Sequence, residues 1–256
     1  MHFPAFSRRS FSRQLSCFAV LCILATTASC GVNVVQFYFA DLFGKSSSPL
    51  EKNADILAVE GMQMMQKKDY EKAVKAFQQL KEHYPYSKYA PLAELKLGDA
   101  HFYNKDYTQA AIAYDEFVRL HPRNEVVPYV IYQTGMCHFL SFSSVDRDPE
   151  ETRLAVESFQ RVVQNYPQSE YAKRAHKQAL ECQKRIVAHE FNVGRFYYVE
   201  GKYSSAKKRL EIASMIYPQA VADLGYQKDI DKMVADCEKH ISQGEEKPSI
   251  WTRWGF

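Results

Sequence analysis

Residues 68–85 read KDYEKAVKAFQQLKEHYP, and residues 105–122 read KDYTQAAIAYDEFVRLHP. In both, an Ala is followed four positions on by a bulky ring and eight further by a Pro: Ala73/Phe77/Pro85 and Ala110/Tyr114/Pro122. The same spacing returns as Ala155/Phe159/Pro167 and Ala206/Leu210/Pro218. Gly201-Lys202-Tyr203 precedes the last copy as Lys-Asp-Tyr precedes the first two, and Gly61, Gly98 and Gly194 sit nine positions before the three tyrosines. Self-similarity at a fixed spacing is the mark of an array of stacked supersecondary units, none of which can bury its apolar face alone.

Each unit reads as two antiparallel helices, A and B, joined by a tight turn. The Gly on helix A and the Ala on helix B keep the contact short, since a larger side chain there would overpack by roughly 1–3 kcal/mol. Phe77, Tyr114, Phe159 and Leu210 fill the space between the helices. The closing proline lacks a donor and disfavours α geometry in the residue before it, so helix B is expected to end near Tyr84, His121, Tyr166 and Tyr217. The pattern resembles the tetratricopeptide repeat, with a unit of about 34 residues. The first two copies lie 37 apart, and the third carries an insertion around residues 141–148. The expected fold is all-α, a tetratricopeptide-repeat right-handed superhelix of about nine helices. Pairs are expected at about 54–84, 89–121 and 126–166. Between Ser169 and Glu200 the pattern predicts one long helix or a barely broken pair. The last B helix follows at about 203–217 and a capping helix at about 222–242.

Residues 1–13 carry three arginines and no acid, residues 15–25 form an apolar run, and Thr27-Ala28-Ser29 precede Cys30. This is the layout of a secretory signal. Small residues ending at a Cys resemble a bacterial lipoprotein signal, which implies that Cys30 is diacylated and becomes the new N-terminus. Thr27 stands where that signal usually has Leu, and a plain cleaved signal or an uncleaved anchor are the alternatives. Two or more acyl chains hold a protein stably at a membrane where one does not. Gly31, in place of an inner-membrane retention Asp, implies the outer membrane. The expected organisation is a signal over 1–29, a lipidated tether over 30–53 with a loop at 45–49, a solenoid over 54–242 and an aromatic tail over 243–256. The tail holds Trp251 and Trp254, either pinned to the domain or used as an anchor elsewhere.

The formal charge of +3 misleads. Without Arg8, Arg9 and Arg13, the 33 basic residues fall to 30, equal to the 30 acidic ones. A neutral chain lacks the electrostatic footprint of a nucleic-acid binder. No stretch after position 50 approaches the ~18 apolar residues of a membrane-spanning helix. Cys137, Cys182 and Cys237 show no CxxC spacing; they read as small buried apolar residues, although an oxidising compartment permits a bridge.

No catalytic motif is present: no GxSxG, GxxxxGK[ST] or GxGxxG. His189-Glu190 resembles the start of a zinc helix, but Val193 replaces the second His. Asp146-Arg147-Asp148 reads as a loop and helix cap rather than an acid/base pair. No enzymatic activity, metal or cofactor is expected. In tetratricopeptide repeats, five positions of helix A line the concave face. On this sequence they are Met62 and Met65; Leu95, Asp99, Phe102 and Tyr103; Tyr129, Tyr132, Met136 and Phe139; and Phe191, Arg195 and Tyr198. Met and aromatic side chains suit adaptable recognition of apolar peptide groups. The other reading is that they pack between repeats.

The segments Asp69 to Ala73, Tyr84 to Tyr89, Val145 to Pro149 and Asn165 to Tyr171 resemble the BamD (YfiO) family over roughly residues 54–220. That resemblance implies an outer-membrane lipoprotein of the β-barrel assembly machinery with five tetratricopeptide units. It implies binding to POTRA domains of a BamA-type barrel protein through the C-terminal half, companion lipoproteins of the complex, and unfolded outer-membrane protein peptides received by the N-terminal half. An Arg of the B helix contacts the last POTRA domain in the family; here that position is Arg209. Its charge reversal is expected to weaken the partner contact without unfolding the chain. The alternative is another envelope tetratricopeptide lipoprotein, a pilotin or cell-envelope coordinator, with a different peptide partner.

Overall fold

The Pro residues that close each repeat mark helix ends throughout. Tyr84, His121, Tyr166 and Tyr217 are the C-caps of four helices, all with φ between -134 and -126 and ψ between 51 and 54. The following proline ring forces each of them out of the α region. The computed structural model describes residues 49–141 and 149–245, and every regular element among them is an α-helix. The helices are α1 (Pro49–Gln66), α2 (Tyr70–His83), α3 (Ala90–Tyr103), α4 (Tyr107–Leu120) and α5 (Val127–Ser141). After them come α6 (Glu150–Asn165), α7 (Glu170–Val199), α8 (Tyr203–Ile216), α9 (Pro218–Leu224) and α10 (Gln227–Ser242). The chain divides into two units, Met1–Lys52 and Asn53–Phe256, and the second carries the helix stack. Of the first, only the opening turn of α1 is described. The signal, Cys30, the insertion and the tryptophan tail lie outside the described residues.

The turns between A and B helices repeat one geometry. Lys68 and Lys105 take φ of 59 and 67, and Gly201 takes 74 at the equivalent place. At each, the next residue's N–H reaches back five positions: Asp69 to Met64, Asp106 to His101 and Lys202 to Tyr197, all at 2.9 Å. This Schellman closure satisfies carbonyls that the helix end leaves open. Asp69 then caps α2, its carboxylate accepting from the N–H of Lys72.

Helices that follow one another in sequence pack on one another from α2 to α8. Inside each hairpin the Ala and the bulky residue of helix B are fully buried: Ala73 and Phe77, Ala110 and Tyr114, Ala155 and Phe159, Ala206 and Leu210. The space they enter is opened by glycine. A Cβ on Gly61 would lie 2.5 Å from the Phe77 ring, on Gly98 2.6 Å from Tyr114 and on Gly194 2.8 Å from Leu210. The third unit uses Gly135, whose Cβ would meet Phe159 at 2.7 Å. Sequence spacing missed Gly135, because this unit lacks the Lys-Asp-Tyr turn from which the others were counted.

Three expectations need correction. The helix over 222–242 is two helices, α9 and α10, separated at Gly225 with φ 72. Pro218 opens α9 rather than only ending α8, since proline's fixed φ and missing N–H suit a first helical turn. Pro49 likewise begins α1 and is not the end of a loop, so helix starts before residue 54. Of the two readings for residues 169–200, the continuous one holds. Ser169 caps α7, its Oγ accepting from the N–H of Tyr171 at 3.1 Å. The helix then runs 30 residues, about 45 Å. Its first half touches α5 and its second half packs on α8 through Gly194.

Cys137 and Cys182 are free, buried thiols pushed up to about 12 by burial, and Cys237 is buried. Among the described residues no helix is long and apolar enough to cross a membrane.

Candidate partner-binding surface

Helix A of each unit presents a stripe of aromatic and Met side chains. Met62 and Met65 of α1 are half-buried. On α3, Tyr103 is 51% exposed and stacks on Tyr70 at 5.5 Å, with Phe102 edge-on beside it. On α5, Tyr129, Tyr132, Met136 and Phe139 are all half-buried. Tyr171 of α7 sits 5.5 Å from Tyr129 and 5.6 Å from Tyr132, which joins the third unit to the long helix through rings. Arg174 lies 5.7 Å from the Tyr171 ring and Arg185 4.0 Å from Phe139. Guanidinium groups over ring faces add cation–π attraction and keep positive charge at the edge of the stripe.

Three of the residues assigned to the stripe are not on it. Leu95 is fully buried, Asp99 is 2% exposed and Phe191 is 9% exposed, so packing consumes them. Phe191 stacks on Tyr226 at 4.4 Å within the cluster of Val187, Leu210, Val221 and Ile230. Arg195 is exposed, and the half-buried Tyr198 donates its hydroxyl to Asp236.

Asp99 is the polar centre beneath the stripe. Its Oδ1 accepts from the hydroxyls of Tyr114 and Tyr129, each at 2.8 Å, and its Oδ2 pairs with Lys96 Nζ at 2.7 Å. Gln133 donates to the Tyr129 oxygen at 3.1 Å. A buried carboxylate survives only when paired and hydrogen-bonded, and here α3, α4 and α5 each supply a partner. Burial, reinforced by Asp99, pushes the Tyr114 and Tyr129 hydroxyls well above the ordinary tyrosine range. Burial also raises Tyr132, and it pushes Tyr171 up to about 12.

A second buried carboxylate sits farther along the stack. Glu190 of α7 is 5% exposed and lies between two arginines: Arg153 of α6 at 3.1 Å and Arg209 of α8 at 2.9 Å. Each guanidinium is about half exposed. Arg209 therefore spends one edge on the fold and offers the other to solvent, so reversing its charge acts on the fold as well as on any partner. Sequence reading missed Lys96, Tyr114, Gln133, Tyr171, Arg153 and Glu190 as members of these clusters. The one usable signal was Tyr171, two residues beyond a Ser that follows a repeat-closing Pro.

A surface of rings, thioethers, hydroxyls and an amide can grip apolar side chains and the backbone of an extended peptide. Among the described residues no group of three or more His, Cys, Asp and Glu side chains is placed to hold a metal ion.

The family model of the outer membrane lipoprotein YfiO matches residues 51–238. The chain belongs to the YfiO family. The matched range takes in every helix that forms the stripe and both buried carboxylates. An outer membrane protein assembly factor BamD of Neisseria meningitidis is 28% identical over 119 residues, 43% of this chain and 45% of that relative. A BamD of Caulobacter vibrioides is 26% identical over 172 residues, 66% of this chain and 56% of that one. The chain thus matches about half the length of these YfiO-family relatives. Among solved structures, a tetratricopeptide repeat protein from Parabacteroides merdae is 14% identical, with a TM-score of 0.40, over 77% of this chain and 82% of its own.

Proposed function

We propose that this protein is a non-catalytic scaffold lipoprotein of the machinery that assembles β-barrel proteins into the outer membrane. The observation that carries the reading is the YfiO-family match over residues 51–238, which covers all of the helix stack but the first two residues of α1 and the last four of α10. The relatives at 26–28% identity named as outer membrane protein assembly factors point the same way. In this reading the C-terminal half, with Arg209 and Arg195, engages periplasmic POTRA domains of a BamA-type barrel protein, beside companion lipoproteins of the complex. The tyrosine stripe of α3, α5 and α7 receives unfolded outer-membrane segments, whose alternating apolar and polar side chains suit its rings and hydroxyls. The chain is held at the periplasmic face of the outer membrane by acyl chains on Cys30.

Affinity purification of the full-length protein from detergent-solubilised outer membranes tests the partner. Recovery of the barrel-inserting protein in stoichiometric amount is expected. Recovery of secretin or peptidoglycan machinery in its place would move the protein to a different envelope role. Fractionation of a Cys30→Ser variant tests the anchor: release into the soluble periplasm is expected, and continued membrane retention would mean an uncleaved hydrophobic anchor.

A further inference from the structure

The chain's two tryptophans, Trp251 and Trp254, lie in residues 246–256, EKPSIWTRWGF, just after α10. The stack ends on α8 and α10, and between them runs a groove whose floor is Ile212, Met215, Ile230 and Val234. Met215 is 76% exposed and Ile216 beside it 54%. A stack of repeats needs a polar outer face on its terminal unit to stay soluble, and this end exposes Met and Ile instead. The groove carries three acids, Glu211, Asp231 and Glu238, against Lys208 in its wall and Lys207 at its edge, which reaches Glu211 at 3.7 Å and Glu238 at 2.8 Å, so one negative charge is left over.

We propose that residues 246–256 fold back along the α8–α10 groove of their own chain, with Trp251 and Trp254 covering Met215 and Val234. The geometry allows it. α8 and α10 run antiparallel: Tyr203 stacks on His240 at 4.3 Å and Lys207 reaches Glu238 at 2.8 Å. The end of α10 therefore lies beside the start of α8, at one mouth of the groove. From Glu245 back to Ile230 is about 22 Å along a helix, and eleven extended residues span about 36 Å. The charges are complementary, because the tail brings Lys247 and Arg253 against one acid, Glu246, and Arg253 stands between the two indoles. A segment tethered this closely meets the groove at an effective concentration in the millimolar range. That favours its own chain over a partner of similar chemistry.

The test uses the full-length protein in native membranes, with p-benzoylphenylalanine in place of Met215. Irradiation is expected to give an intramolecular cross-link that mass spectrometry maps to residues 246–256. The cross-link should be lost in a Trp251→Ala/Trp254→Ala background. The same probe at Ile112 of α4, 58% exposed, is the control and should not reach the tail. Because both tryptophans lie in the tail, intrinsic emission of the purified protein is a second reading. Met215→Glu should shift it to longer wavelength with helix content unchanged by circular dichroism. Cross-links from position 215 to another polypeptide, to a second copy or to lipid would overturn the proposal. So would a tail yield no higher than from position 112, or an emission indifferent to Met215→Glu.

Discussion

A methyl group added at Gly135 would sit 2.7 Å from the ring of Phe159, itself fully buried. The ring has no free space to retreat into, so Gly135→Ala is expected to destabilise the chain by roughly 1–3 kcal/mol, read as a lowered urea midpoint. An unchanged midpoint would mean that the hairpin is looser than its contacts imply. Arg209 makes the opposite point about prediction by resemblance. Its position marked it as a partner residue, yet 2.9 Å away lies Glu190, buried and shared with Arg153. Arg209→Glu is expected to cost roughly 1–3 kcal/mol of stability, less than the 3–5 of a fully buried pair, because both guanidiniums are half exposed and Arg153 remains. Comparing urea midpoints of Arg209→Glu and Arg209→Lys checks this. Equal midpoints would show that Glu190 does not depend on Arg209. A binding assay with the Glu variant alone would mix the two effects. Neither Glu190 nor its second arginine was legible in the sequence, since 37 and 19 positions separate the three residues and no spacing rule links them.

At the scale of elements, the hairpins were legible because their signals are local. A proline acts on the residue before it and glycine on its own φ, so four B-helix ends read correctly from Pro85, Pro122, Pro167 and Pro218. The C-terminal cap was read as one helix because Gly225 gives no periodicity signal, and only its backbone shows the break. Gly225 has φ +72, and a Cβ added there would meet nothing within 4 Å. Gly225→Ala should therefore cost about 1 kcal/mol through the left-handed conformation alone, visible as a small fall in thermal midpoint. A much larger loss would indicate that α9 and α10 had fused and left the α7–α8 cluster. Lys68 and Lys105 take the same conformation at their turns without being glycine, which is why a Lys-Asp-Tyr spelling and a Gly-Lys-Tyr spelling produce one turn.

At the scale of the molecule, the stack is tied together by polar groups buried between units. Tyrosine ordinarily loses its proton near pH ~10. In the folded chain Tyr114 and Tyr129 are held well above that and Tyr171 up to about 12. Above pH ~10 the unfolded chain releases protons that the folded chain retains, so the unfolded state binds fewer of them and stability falls as pH rises. Urea midpoints are expected to stay level from about pH 7 to 8 and to begin falling near pH ~8.5, because the unfolded chain's thiols ionise while buried Cys137 and Cys182, pushed up to about 12, keep their protons. They should fall more steeply from about pH 10 upward as the tyrosines join. The decline should shrink in a Tyr114→Phe/Tyr129→Phe variant, which has fewer protons to withhold. Level midpoints through about pH 11 would mean that these hydroxyls titrate as in water. The sequence by itself determined the all-α class, the hairpin as the unit, the C-terminal ends of the four B helices and the small-against-large contact within each pair, because each follows from steric rules acting within one unit. Only the tertiary structure decided which stripe residues remain for a partner, that Leu95, Asp99 and Phe191 do not, and that two carboxylates lie between helices in rings of tyrosine, lysine and arginine. Those outcomes depend on how consecutive units are set against one another, and distance in space between residues far apart in the chain is not written in any local spacing.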